Sequence, residues 1–205
     1  DYKTGTLPAP GVEHGGIGWA SPWREWADWP GMTLGSSIDA SRPTGQSAVG
    51  NVAIEQTGKA HIGRDLAEPL RMDRNAVYYI SFLFRQDGFL DPADDGLHFD
   101  LHLELRSSEQ EYPIEEKLRF GVVMNDLVFG ALGGDHTRAR LPLEKGATYL
   151  MVVKIAARRS QPDQLLAVIY RQGQPVDFEE PAGWTMVGRP ADTDLVFHEL
   201  GVNFY

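Results

Sequence analysis

His98, Asp100, His102 and Glu104 recur at every second position of the chain. A period of two is that of a β-strand, where such residues share one face with Cα atoms about 6.6 Å apart, so this row presents two imidazoles and two carboxylates together. Paired carboxylates suit glycoside hydrolysis, with carboxyl groups about 5–5.5 Å apart in a retaining enzyme and about 6.5–9.5 Å apart in an inverting one. Asp100 and Glu104 are separated by about 13 Å of strand rise, so their side chains would have to lean together to cooperate. The same row reads first as the solvated face of a half-buried strand, and after that as a ligand-binding face. His98 and His102 are held about 13 Å apart by strand geometry rather than stacked on a helix, and no third ligand is evident in the sequence; no transition-metal site is expected.

Two other groupings bear on binding. Trp19, Trp23, Trp26 and Trp29 are four of the five tryptophans. A flat ring beside hydrogen-bonding side chains matches the apolar C–H faces and hydroxyls of a sugar, and Arg24, Glu25 and Asp28 supply such partners. Trp26 and Trp29 are the ligand candidates, whereas Trp19 and Trp23 read as packing residues that plug one end of the fold. Asp91, Asp94 and Asp95 form an acidic turn with Gly96. Three carboxylates with backbone carbonyls can begin a calcium shell, although the spacing is not that of an EF-hand. There is no G-x-S-x-G elbow, no G-x-x-x-x-G-K-[ST] phosphate loop and no H-E-x-x-H, which removes serine hydrolase, nucleotide-dependent and zincin chemistry.

The elements that would position these residues are strands. Short β-branched and aromatic runs punctuated by glycine predict strands over 47–56, 60–66, 77–86, 97–106, 118–124, 127–132, 149–156, 165–171 and 195–204. Met124, Asn125, Asp126 and Leu127 predict a tight hairpin, with Asn125 and Asp126 at its tip. The run VYYISFLF over 77–84 is apolar on both faces, which predicts a strand covered on two sides. By contrast Leu97, Phe99, Leu101, Leu103 and Leu105 alternate with the His98–Glu104 row, which predicts one core face and one open face. Ser21, Pro22 and Pro30 bracket the sole helical hint, a short surface helix or an irregular loop. With no amphipathic helix of three turns, the expected architecture is all-β: an antiparallel two-sheet sandwich of the jelly-roll type, as a single domain over 1–205.

Composition narrows the partners. In 205 residues there are 29 acidic against 19 basic side chains, a formal charge of -10, which disfavours phosphate-backbone binding and therefore nucleic acid. The absence of cysteine excludes disulfide frameworks, thiolate metal sites and thiol nucleophiles. No apolar run approaches the ~20 residues of a membrane-spanning helix, so no membrane insertion by this domain is expected; the opening residues carry no signal-peptide pattern.

Several strings resemble laminin-G-like, concanavalin A-like domains of bacterial envelope proteins, including those C-terminal in FecR-type anti-sigma regulators. They are Asp1-Tyr2 with Gly5-Thr6-Leu7, the stretch from Gly15 to Trp23, Arg64 to Leu70, Val77 to Arg85, Lys117 to Gly121, Thr148 to Ile155, and Leu195 to Phe204. The segment from Arg24 to Pro30 departs from that pattern, which has a Gly-rich stretch there. Jelly-roll glycoside hydrolases of the same class carry a Glu-x-Asp-x-Glu row; here the matching positions are Asp100, His102 and Glu104, so only the last keeps its type. The resemblance implies a concanavalin A-like fold and an exported, periplasmic or cell-surface location. The function expected is a non-catalytic recognition module whose partner is carbohydrate or an envelope protein. The rival expectations are a glycoside hydrolase using Asp100 or Glu104 and the sensing domain of a FecR-type regulator.

Overall fold

A computed structural model of the chain describes residues 60–85, 100–106, 117–123, 126–130, 137–140, 143–144, 146–177, 179–188 and 194–204, with short pieces at 5–6, 20–21, 24–25, 33–34 and 54–55. Every regular element among them is a strand, and every strand pairing is antiparallel. In chain order the strands are β1 (Gly5–Thr6), β2 (Arg24–Glu25), β3 (Thr33–Leu34), β4 (Ile54–Glu55), β5 (Ala60–Arg71), β6 (Ala76–Arg85) and β7 (Asp100–Arg106). They continue with β8 (Lys117–Val123), β9 (Asp126–Gly130), β10 (Thr137–Arg140), β11 (Thr148–Ala157), β12 (Gln164–Arg171), β13 (Met186–Gly188) and β14 (Val196–Phe204).

One sheet has seven strands in the order β10-β9-β8-β7-β14-β5-β2, and a second has four in the order β13-β12-β11-β6; β1, β3 and β4 form a small third sheet. The two larger sheets share one core. Leu70, Leu118, Phe120, Phe197 and Leu200 enter it from the seven-stranded sheet, and Phe84, Tyr149, Met151, Val153, Ile155, Leu165, Ala167 and Met186 from the four-stranded sheet. The Phe82 and Phe120 rings meet across the interface at 6.2 Å between centroids. Burial of these alternating apolar side chains from both sides is the main force holding the sheets together.

Local chemistry and packing compete at four places. First, β5 runs to Arg71, past the expected end at 66 and through Pro69, which cannot donate to a ladder. The register with β14 shifts between Phe197 and Glu199, and this irregularity accommodates the proline. Second, β8 and β9 pair with Val123 opposite Asp126, so Asp126 lies in the strand rather than in the turn where its chemistry alone would put it. That register sets apolar positions opposite one another, Phe120 with Phe129 and Val122 with Leu127. Third, Arg24–Glu25 is a strand paired with Gly63 and Ile62, so the helical option for this stretch does not hold. Ser21 anchors the approach to it: its carbonyl accepts from Arg64 Nε at 2.7 Å and its hydroxyl from the Asp65 N–H at 3.0 Å.

The fourth difference matters most for function. β6, the VYYISFLF strand, pairs with β11 and lies at the end of the four-stranded order; one of its faces packs on the core and the other is covered only in part, at Leu83. Tyr78, Ile80, Phe82 and Phe84 pack on the core, while Val77 and Tyr79 stand 55% and 58% exposed. The strand buried nearly throughout is β11, flanked by β6 and β12.

Candidate functional site

The outer face of the four-stranded sheet is built from cross-strand rows fixed by register. Val77, Ala156 and Gln164 form one row; Tyr79, Lys154, Leu166 and Val187 form the next. Then come Ser81, Val152 and Val168, and after them Leu83, Leu150 and Tyr170. The last two rows are covered except at Ser81, because Val176 and Trp184, from the chain between β12 and β13, pack over Leu150, Val168 and Tyr170 to make a second apolar cluster. Burial there raises the Tyr170 phenol above its ordinary pKa, and the charge of Asp177 adds to the effect.

The first two rows are open at β6 and β13, while Ala156 and Leu166 between them are buried. Val77, Tyr79 and Val187 are the exposed large apolar side chains among the described residues, and all three belong to these rows. At about 4.8 Å per strand the open rows cross four strands over roughly 14 Å.

Lys154 stands at the boundary between the covered and open halves. Its ammonium is ion-paired with Glu180 and lies 5.9 Å from the Tyr79 ring centroid and 6.0 Å from that of Trp184. The hydrogen bond to Glu180 raises the lysine above its usual pKa against the opposing effect of burial, so it carries its charge throughout the neutral range. The pair therefore clips the covering segment to the sheet and orients two aromatic rings about one cation.

Beyond the first row the face opens into a shallow groove of about 660 Å³, lined by Asn75, Ala76, Val77, Lys154, Ala156, Ala157, Arg158, Ser160, Gln161 and Gln164. Its floor is apolar strand and its rim is polar loop, a combination that fits small-molecule and sugar recognition. Asn75, between β5 and β6, joins the 158–164 turn through its Oδ1, which accepts the Arg159 N–H at 3.0 Å. The turn itself is fixed by Asp163, only 2% exposed, whose Oδ1 accepts the Arg158 N–H at 2.8 Å. Aspartate at this position caps the chain reversal between β11 and β12.

The residues singled out by sequence are placed as follows. Asp100, His102 and Glu104 lie on β7, inside the seven-stranded sheet, with His102 opposite Gly121 and Asn203 and Glu104 opposite Arg119 and Gly201. Their positions alternate with those of Leu103 and Leu105, which lie opposite the buried Phe120 and Leu118. Trp26, Trp29, His98, Asp91, Asp94 and Asp95 lie outside the described residues. No group of three or more metal-ligating side chains occurs among the described residues, and none of their helices is long and apolar enough to cross a membrane. The sequence reading misses Tyr79 and the groove because it assigns the 77–84 run to a doubly covered strand. The available signal was the aromatic pair Tyr78-Tyr79, whose members must point to opposite faces of a strand.

No family model matches the chain, and no curated protein matches it. Among solved structures, a protein of unknown function from Shewanella oneidensis MR-1 aligns over 84% of this chain and 78% of its own, at 11% identity and a TM-score of 0.29. A superposition at that level defines neither the fold nor a function. Among the described residues the structure is all-β and antiparallel, with an aromatic-bearing sheet face that is open in part.

Proposed function

We propose that this chain is a non-catalytic recognition module for carbohydrate, carried by an exported or envelope-associated protein, and that its two sheets form a jelly-roll sandwich of the concanavalin A-like class. The observation that carries this reading is Tyr79, which stands 58% exposed on a sheet face beside Lys154, itself a lining residue of the groove. An exposed ring fixed on a strand offers a rigid stacking surface for the C–H face of a pyranose, and the amide and hydroxyl groups of the groove offer partners for its hydroxyls. The shared core of the two sheets supports the sandwich. The sequence resemblance supports the class and the location.

The hydrolase alternative rests on Asp100 and Glu104, four residues apart on a single strand, and nothing in the register favours it. A glycan array followed by calorimetry on the hits tests the proposal. Binding that is lost in Tyr79→Ala while the thermal midpoint stays within a few degrees supports it. Uniform absence of glycan binding refutes it.

A further inference from the structure

The groove is rich in donors and has no carboxylate in its lining. Asn75 Oδ1 is occupied by the Arg159 N–H, so its carboxamide nitrogen is the atom left to donate. Gln164 Oε1 accepts from Arg158 Nη2 at 3.5 Å, which likewise leaves the Gln164 amide nitrogen as a donor and steadies the guanidinium at the rim. Lys154 lines the same groove, with Ser160 and Gln161 completing its polar edge. Exposed Arg74 and Arg159 adjoin it in sequence. The nearby acids are already engaged: Asp73 pairs with Arg71, Glu180 pairs with Lys154, and Asp163 is buried beneath the turn. In a chain with a formal charge of -10, a groove that carries the Arg158 guanidinium and amide donors but no carboxylate, with Lys154 already balanced by Glu180, runs against the overall composition. Its complement is a ligand with acceptors and negative charge.

We infer that the groove is a subsite for an acidic sugar, the carboxylate of a uronate residue seating against Arg158 and the Asn75 and Gln164 amide nitrogens while an adjoining residue of the same glycan stacks on Tyr79. This rests on the carbohydrate reading above and names its ligand class. A guanidinium matches a planar carboxylate with two parallel N–H bonds, a geometry that a neutral sugar hydroxyl cannot reproduce. The apolar floor formed by Val77 and Ala156 suits the ring carbons of the same residue.

The test compares oligogalacturonate and oligomannuronate with their carboxyl-reduced, neutral counterparts by isothermal calorimetry, on the intact chain and on Arg158→Gln and Tyr79→Ala. Poly-glutamate serves as a charged polymer that is not a sugar. The expected result is binding of at least one uronate, weakened about tenfold or more by carboxyl reduction and by Arg158→Gln, consistent with loss of a charge-assisted hydrogen bond. The thermal midpoint of Arg158→Gln should be unchanged, since the turn is held by the backbone N–H of Arg158 rather than its side chain. Equal binding of acidic and neutral oligosaccharides with Arg158→Gln silent and Tyr79→Ala weakened overturns the uronate subsite and leaves carbohydrate recognition standing. Equal binding of poly-glutamate and uronate shows plain charge attraction and also overturns the subsite. No binding of any oligosaccharide overturns both readings.

Discussion

The two faces of β6 give the sharpest test of the architecture, because Phe84 and Tyr79 lie on one strand five residues apart and face opposite ways. Phe84 is 5% exposed, stacked on Tyr149 at 5.5 Å and tilted against Phe82 at 5.9 Å. Replacing it with alanine removes roughly 150 Å² of buried apolar surface, worth about 4 kcal/mol at about 25 cal/mol/Å², within the ~3–5 kcal/mol usual for Phe→Ala in a core. For a chain of this length that lowers the thermal midpoint by about 6–20 °C. Tyr79→Ala forfeits the contact with Lys154, about 0.5–1 kcal/mol for an exposed cation–π pair, and a fraction of a kcal/mol of strand preference. Its midpoint should fall by only about 2–4 °C. Paired urea and thermal melts of the two variants measure the contrast. A Tyr79→Ala cost of about 3 kcal/mol or more would show the outer face of β6 to be covered, and with it the docking face would be lost; a Phe84→Ala cost below about 1 kcal/mol would refute the shared core.

Other expectations follow from single contacts. Glu180→Gln breaks the clip over Trp184, so hydrogen exchange of amides in the stretch between β12 and β13 should accelerate while the β11 amides keep their protection; unchanged exchange in that stretch counts against the clip. Because the folded-state pKa of Lys154 is raised, its stabilisation is complete below the unfolded lysine value of about 10.4 and is lost as pH rises through the folded value. Melting curves between about pH 8 and 12 should therefore fall less steeply for Lys154→Met than for the unsubstituted chain, and parallel curves would contradict this. Asp163→Ala strips the buried acceptor from the β11–β12 turn and should cost about 1–3 kcal/mol by chemical denaturation. Gly173 sits at φ +84° in the turn after β12, so Gly173→Ala should cost roughly 1 kcal/mol although nothing lies within 4 Å of the new methyl, and a neutral result would dispute that backbone geometry.

Much of this molecule is written in period-two patterns. The strands at 149–156, 165–171 and 195–204 form as expected because each carries enough β-branched and aromatic surface to favour a pleated setting, whereas 60–66, with Ile62 as its one β-branched residue, depends on its pairing with β14. The same local signal carries no information about what lies across the sheet. It could not show that Pro69 would sit at a register shift, that Asp126 would pair with Val123 inside the strand, or that 137–140, rich in arginine, would pair as β10 on the edge of the larger sheet. These depend on partners chosen by packing.

Composition and spacing alone determined an all-β chain, excluded thiol chemistry and nucleotide loops, and ranked the His98–Glu104 row as worth inspecting. Tertiary structure decided where an open surface lies. VYYISFLF is apolar on both sides in sequence, yet only the side facing the second sheet is buried, since a strand lying at the end of its sheet's order gains cover only where another layer reaches it. The groove beside Tyr79 arises in the same way: Asn75 and Arg159 are 84 residues apart and meet because β6 pairs with β11. Hydrophobic periodicity fixes which way a side chain points, and only the pairing of distant strands fixes what it meets.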